Sequence, residues 1–335
     1  MSETKALNNS EVVELLGLPQ TIITDLQTAE GTSFQAVANE FLSALFNKCI
    51  YQTVTSIDFT NPFKKYDSFP VRFGSTIENI FVELPKGYQY NKDATNPFDR
   101  VNPDIKTLYA TINYEMQYET TIYDSLLRKA CLDEYGFMNL ISAIIGSLQK
   151  SKSIDEYFAT IAMLNNDDIY ASGFEQVTKG ATDAETASII TKKIIEVTSS
   201  MQLPKKTNNK TGVMNATPIN DILLIIKVDL LNSINLDYLA GVYNLSKVDL
   251  VKNIIAVDSF KVEQIGTSGT STMVGTDIDF VILDSKGFDN HVALEDGGLI
   301  YNPKGKYTNH FYNLWKIISF KQFYNARAFQ LKAAA

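Results

Sequence analysis

Histidine and cysteine are scarce in this chain, with two of each among 335 residues. Cys49 and Cys131 stand alone and far apart in apolar-periodic stretches, which excludes a disulfide framework or a cysteine-rich zinc site and fits a reducing compartment. His291 and His310 make no HExxH pattern, so histidine acid–base or metal chemistry has little to rest on. No apolar run approaches the ~20 residues of a membrane-spanning helix. The densest, Ile222 to Ile226, is the size of a strand. Basic residues do not dominate either: 30 Lys and Arg face 38 Asp and Glu, a net charge of -8, which argues against a basic nucleic-acid reader. Met1 to Asn9 has neither the apolar core of a secretory signal nor the arginines of a transit peptide, so the protein is expected to stay where it is made. There is no phosphate loop: Gly305-Lys306 lacks the upstream glycine and the following Ser or Thr. The run Gly266 to Gly275 lacks dinucleotide spacing and reads as a surface loop. No cofactor is expected.

What the chain does have is core. Hydrophobic residues make up 45% and charged residues 20%, and the length suggests about two domains. Ser33 caps a predicted helix whose apolar positions Phe34, Val37, Ala38, Phe41, Leu42, Leu45 and Phe46 recur every three or four residues, so one face must pack on something. A shorter helix behind Ser10 precedes it. From Tyr51 to Ile122 helical periodicity disappears, and five of the nine prolines fall there. The stretch Thr111 to Ile122 alternates as a long strand with one wet face. Val71, Phe73 and Ile77 to Phe81 are expected to pair with it, and 85–103 to form an irregular tip.

Three helices are expected next: around Leu126 to Cys131, around Phe137 to Leu148, and after a capping box of Ser153 and Glu156, carrying Tyr157, Phe158, Ile161 and Leu164. A second capping box, Thr182 and Glu185, opens a helix with Ile190, Ile194 and Val197 inward. Strands at Ile222 to Val228, Ile254 to Val257 and Phe280 to Leu283 alternate with short helices at Leu236 to Val242 and Val248 to Lys252, as in an α+β domain. Glu295-Asp296-Gly297-Gly298 reads as a turn. The aromatic stretch His310 to Phe329 reads as two strands.

Two clusters invite a chemical reading. Asp277 and Asp279 share a face and, with Asp284 nearby, suggest a magnesium site; the stronger reading is that they flank the exposed edge of a strand whose apolar side is Ile278, Phe280 and Ile282. Lys205, Lys206 and Lys210 lie in a loop without acidic residues that suits phosphate, although a solvated turn is the more common outcome. Neither demands an enzyme.

An ordered set of short segments resembles one family. Asn61-Pro62-Phe63-Lys64-Lys65, Gly74-Ser75-Thr76-Ile77-Glu78, Tyr88-Gln89-Tyr90 and Pro103-Asp104-Ile105-Lys106-Thr107-Leu108 are similar to the major capsid proteins of small short-tailed phages of the phi-29-like group. Asp155-Glu156-Tyr157, Leu224 to Leu230, Asn302-Pro303-Lys304-Gly305 and the aromatic run to Phe329 follow the same pattern. The resemblance implies the Hong Kong 97 capsid fold, an α+β architecture with an N-terminal arm (1–50), an extended hairpin loop (51–122), a peripheral domain with a long spine helix (123–173, the helix at Ser153 to Asp168), an axial domain (174–300) and C-terminal strands returning to the peripheral domain (301–335). It implies a non-enzymatic head protein of the virion, assembled in the bacterial cytoplasm into pentamers and hexamers around double-stranded DNA, with portal and scaffolding partners and no membrane. An encapsulin-like compartment and an enzyme using Asp277 and Asp279 are the alternatives. Relatives carry an immunoglobulin-like domain after the shell domain; this chain ends at Ala335, so no role tied to that domain is expected. The hairpin offers Phe63, Phe69, Ile77 and Phe81 as apolar anchors for a neighbouring subunit, rimmed by Lys64, Lys65, Arg72 and Glu78. Weak, non-specific DNA contact falls to Lys205, Lys206 and Lys210.

Overall fold

The computed structural model describes residues 59–72, 74, 76–87, 89, 100, 102–125, 136–234, 253–265 and 271–333. The predicted N-terminal helices, the helix at Leu126 to Cys131, both cysteines, the helices at Leu236 to Val242 and Val248 to Lys252 and the first half of the glycine-rich run (266–270) lie outside these residues.

The centre is a five-stranded mixed sheet in the order β4-β12-β9-β5-β6, built from β4 (Phe174–Thr178), β12 (Ala326–Lys332), β9 (Phe280–Asp284), β5 (Ile222–Lys227) and β6 (Ile254–Val257). Strand alternation divides each inner strand between two cores. Leu223, Ile225, Val281 and Leu283 pack with Ile161 and Leu164 of α1 (Gly136–Leu164), whereas Leu224, Ile226, Phe280 and Ile282 pack with Ile190, Ile194 and Val197 of α2 (Asp183–Met201). Because both faces are covered, β5 and β9 are apolar up to their last residues, Lys227 and Asp284, and do not alternate with polar residues. β9 is therefore an interior strand, all five residues buried, and not the exposed edge expected from Asp277 and Asp279.

The Thr182 and Glu185 box forms as predicted: Thr182 Oγ1 accepts from the Glu185 backbone N–H at 3.2 Å, and the Glu185 carboxylate accepts from Ala181 N–H at 2.8 Å. Ser153 and Glu156 do not form one. α1 runs unbroken through them for 29 residues, about 44 Å at 1.5 Å per residue, so the two predicted segments and the spine helix are one element. With no helix end at Ser153 there are no orphan N–H groups to satisfy, and the Glu156 carboxylate instead lies 3.1 Å from Lys316 Nζ. At its C-terminus α1 is fixed by the fully buried Tyr170, whose hydroxyl donates to Leu164 O. Asn165 donates to Phe260 O and Thr276 O there, against Gly275 (φ 117°), where a Cβ would sit 2.7 Å from the Asn165 amide.

A second sheet has the order β10-β11-β3, from β10 (Phe288–Asn302), β11 (Tyr307–Phe320) and β3 (Tyr114–Tyr123). Three expectations fail here. The Asp-Gly-Gly segment continues in register, Asp296 opposite Asn313 and Gly298 opposite Phe311, because fourteen paired positions with β11 outweigh a local turn composition. The long strand from Tyr114 pairs with β11 and not with the Ile77 strand, so 114–122 belongs to this sheet and not to a projecting loop. Nor does 301–335 return as one unit: β11 joins β3, while β12 enters the central sheet between β4 and β9.

A charge cluster ties the second sheet to α1. Lys316 on β11 lies 3.1 Å from both Glu156 on α1 and Asp67, near a short 3₁₀ turn at Lys64–Tyr66. Burial alone would lower the Lys316 pKa; the two carboxylates outweigh it and raise it.

Candidate subunit interface

The remaining described strands are two small hairpins, β7 (Val262–Ile265) with β8 (Ser271–Val274), and β1 (Ile77–Val82) with β2 (Ile105–Ala110). The second is the candidate site. Its register places Glu78 opposite Tyr109, Ile80 opposite Thr107 and Val82 opposite Ile105. Period-two alternation then gives two unlike faces. The inner face, with Ile77, Asn79, Phe81, Lys106 and Leu108, is half-buried on the subunit. Phe81 tilts against Phe323 at 5.4 Å between ring centroids, and Asn79 donates to Asp289 at 2.6 Å. The far end is held by Lys206 on Glu83 (2.9 Å) and by Lys106 donating to Thr211 O (2.9 Å). The Lys206 hydrogen bond holds the Glu83 carboxyl below its usual pKa.

The outer face is apolar and open. Ile80, Val82, Leu84, Ile105 and Tyr109 are between 53% and 71% exposed, five large side chains on one two-stranded ribbon. Glu78 is their polar neighbour and accepts from the Tyr109 hydroxyl at 3.0 Å. Nothing else in the described residues concentrates so much exposed apolar surface on a single element, and a two-stranded ribbon with one bare apolar face is the kind of element that another surface completes.

The predicted anchors redistribute accordingly. Phe63 is 1% exposed and stacks with Tyr157 (5.8 Å), so it belongs to the subunit's own core and not to a neighbour. Ile77 and Phe81 are also turned inward, which corrects their reading as contact residues. Phe69 remains open at 69%, its ring edge-on to His291 at 4.8 Å. Lys64, Lys65, Arg72 and Glu78 are exposed. The outer set was missed because both faces of 77–84 carry apolar residues, so alternation alone could not say which face looks inward; Phe323, far along the chain, decides it.

The basic loop is not a bare cationic surface. Lys206 is held by Glu83, Lys210 lies 3.5 Å from Asp168, and Lys205 lies 3.3 Å from Ser200 Oγ. Nor is the loop a solvated turn: buried Asn209 both donates to and accepts from Val213, and Asn215 donates to Phe323 O.

Asp277 and Asp279 are brought together, but around a cation the chain supplies. Lys227 Nζ lies 2.5 Å from Asp277 and 3.0 Å from Asp279, and Asp279 also accepts from Leu331 N–H at 2.6 Å. The hydrogen bond from Lys227 lowers the Asp277 pKa. Asp284 lies at the other end of β9, accepting from Thr217 and from Lys286 N–H. Replacing Asp277 with Asn is expected to cost no more than ~1 kcal/mol, and replacing Asp279 somewhat more because asparagine keeps only one of the two oxygens that accept from Lys227 and from Leu331 N–H. Denaturant melts and elemental analysis check both; stoichiometric loss of a divalent ion would revive a metal site.

Comparison with known proteins fits this geometry. The family model for Phi29-like phage major capsid proteins matches residues 20–330. The major capsid protein of Bacillus phage B103 is 30% identical over 302 residues, 88% of this chain and 64% of that protein. The one from Streptococcus phage Cp-1 is 28% identical over 90% of this chain and 85% of its own length. This chain thus spans a little under two thirds of the B103 relative and most of the Cp-1 one. Among solved structures, a chain of the Staphylococcus phage Andhra capsid superposes with a TM-score of 0.62 at 13% identity, covering 84% of this chain and 87% of that one. A chain of the PhiM1 mature capsid gives 0.57 at 10% identity over 84% and 90%. The architecture is that of Hong Kong 97-type phage capsid proteins, and the chain belongs to the Phi29-like phage major capsid protein family.

Proposed function

We propose that the chain is a shell subunit that assembles with copies of itself into pentamers and hexamers of an icosahedral phage head. The observation that carries this is the outer face of the β1–β2 ribbon, which concentrates five large exposed apolar side chains on one element; a second copy covers them. Phe69 and the exposed Lys64, Lys65 and Arg72 extend that contact as its rim. In this reading the extended loop is the ribbon of β1 and β2 with the connection between them, while α1 and the β10-β11-β3 sheet form the peripheral part and the five-stranded sheet the axial part.

Double-stranded DNA is the enclosed cargo, touched weakly and without sequence preference, since the net charge is -8 and the best lysine candidates are engaged by acidic or polar partners. Portal and scaffolding proteins are further expected partners, and the virion is the site of action. Negative-stain microscopy of the protein expressed alone and with a scaffolding protein tests the proposal. Rings of five or six, sheets or closed shells are expected; a strictly monomeric protein at high concentration in both settings contradicts it.

A further inference from the structure

The flank of α1 next to its core-facing stripe of Tyr157, Ile161 and Leu164 carries apolar residues too. Ile154, Phe158 and Ala162, each one i,i+4 step from the last, form an exposed apolar ridge, with Ile154 39% and Phe158 42% open. Beside the ridge lies a groove of about 780 Å³, walled by Phe158, Ala159 and Ala162 on the helix and by Leu108, Tyr109 and Met116 on β2 and β3. A groove of this size between a helix ridge and a ribbon edge has the shape to receive another helix. It shares Tyr109 with the outer face of the ribbon and otherwise lies where the ribbon meets α1.

The first described residue shows where the preceding chain arrives. The Phe59 ring meets Tyr157 edge-on at 5.5 Å, and Tyr157 in turn meets Phe158 at 5.5 Å. The chain N-terminal to Phe59 therefore starts one ring away from the groove. Upstream lies the Ser33 to Phe46 segment, whose stripe of Phe34, Val37, Ala38, Phe41, Leu42, Leu45 and Phe46 requires a surface to pack on. As a helix it is about 21 Å long. The link from Phe46 to Phe59 reaches about 40 Å when extended, more than enough to turn back along α1.

We propose that the groove between α1 and the base of the ribbon is the seat of this chain's own segment 33–46, packed as an amphipathic helix against the Ile154, Phe158 and Ala162 ridge. The segment then braces the ribbon root against the spine helix, and its presence sets the angle at which the outer face is offered to a neighbour.

The test uses the full chain, unassembled, with Cys49→Ser and Cys131→Ser. Ala162→Cys is combined with Leu45→Cys, on the apolar stripe, or with Ser43→Cys, on the opposite side, and oxidised under mild conditions, since a disulfide forms only where the two Cβ atoms approach within about 4.5 Å. The Leu45 pair is expected to give an intrachain disulfide at least tenfold faster than the Ser43 pair, migrating as a monomer. Equal rates, or products that are only interchain dimers, overturn the proposal. As a second measurement, Phe158→Asp in the otherwise unaltered chain is expected to raise chymotryptic cleavage between Phe34 and Phe46 about tenfold while the melting temperature of the subunit changes little. Unchanged cleavage overturns it. Neither experiment depends on whether the protein forms shells.

Discussion

Serine at both Val82 and Ile105 is expected to abolish shell assembly while leaving the free subunit folded. The two residues face each other across the ribbon register, both on the outer face and both more than half exposed. In the isolated subunit their truncation removes little buried surface, and substitutions at such positions ordinarily change stability by no more than ~0.5 kcal/mol. At an interface the same pair sits at the centre of an apolar patch, where anchors commonly contribute 2 kcal/mol or more each. Because every subunit repeats the contact, the loss multiplies around each ring. Sedimentation of the variant should show no species above the capsomer, with circular dichroism and melting temperature close to those of the parent. The same substitution at Phe81 serves as the contrast: that ring packs on Phe323 within the subunit, so Phe81→Ser should lower the melting temperature of the monomer itself.

The second large effect lies in the interior. Lys316→Met is expected to destabilise the subunit by about 3 to 5 kcal/mol, because it strands the Glu156 carboxylate, and in part that of Asp67, without their cation. For a chain of 335 residues that is a fall in melting temperature of about 4 to 7 °C. Adding Glu156→Gln to Lys316→Met should recover part of the loss, since a neutral amide is cheaper to bury than an unpaired charge. A melting temperature within 2 °C of the parent for Lys316→Met alone would show that the triad holds nothing together. The pH dependence follows from the direction of the shift. Lys316 has its pKa raised on folding, so its contribution is fully present below the unfolded lysine value near ~10.4 and is lost as pH rises through the folded value. Asp289 is the opposite case: burial pushes its pKa up, but hydrogen bonds from Asn79, His291 and Lys321 win and lower it. Its contribution is present above the unfolded carboxylate value and is lost as pH falls through the folded one. The window between, roughly pH 4 to 10, should be the range of greatest stability.

Much of the five-stranded sheet and the helix beside it was legible in the sequence. Ile222 to Val228, Ile254 to Val257 and Phe280 to Leu283 are short, apolar and punctuated, and Thr182 with Glu185 marks a helix start by its own chemistry, so local signals suffice. The errors share a cause. Ser153 and Glu156 look like a cap only until Lys316, 160 residues away, claims the glutamate. Asp296-Gly297-Gly298 looks like a turn only until β11 is laid beside it. The wet-faced strand from Tyr114 was paired with its sequence neighbour because nothing local names Tyr307 to Lys316 as its partner. At the candidate interface, 77–84 is apolar on both faces, and the choice between them depends on a single ring from the C-terminal segment. Long-range pairing, not propensity, carried the missing information.

The central claim, that the outer face of the β1–β2 ribbon is covered by another copy of the chain, is tested most directly by hydroxyl-radical footprinting of free subunits and assembled shells in parallel. Modification of Ile80, Leu84, Ile105 and Tyr109 is expected to fall at least fivefold on assembly, while the already buried Phe63 and Phe280 stay unreactive in both states. Equal modification of those four side chains before and after assembly would mean that the ribbon stays bare in the shell, and would contradict it.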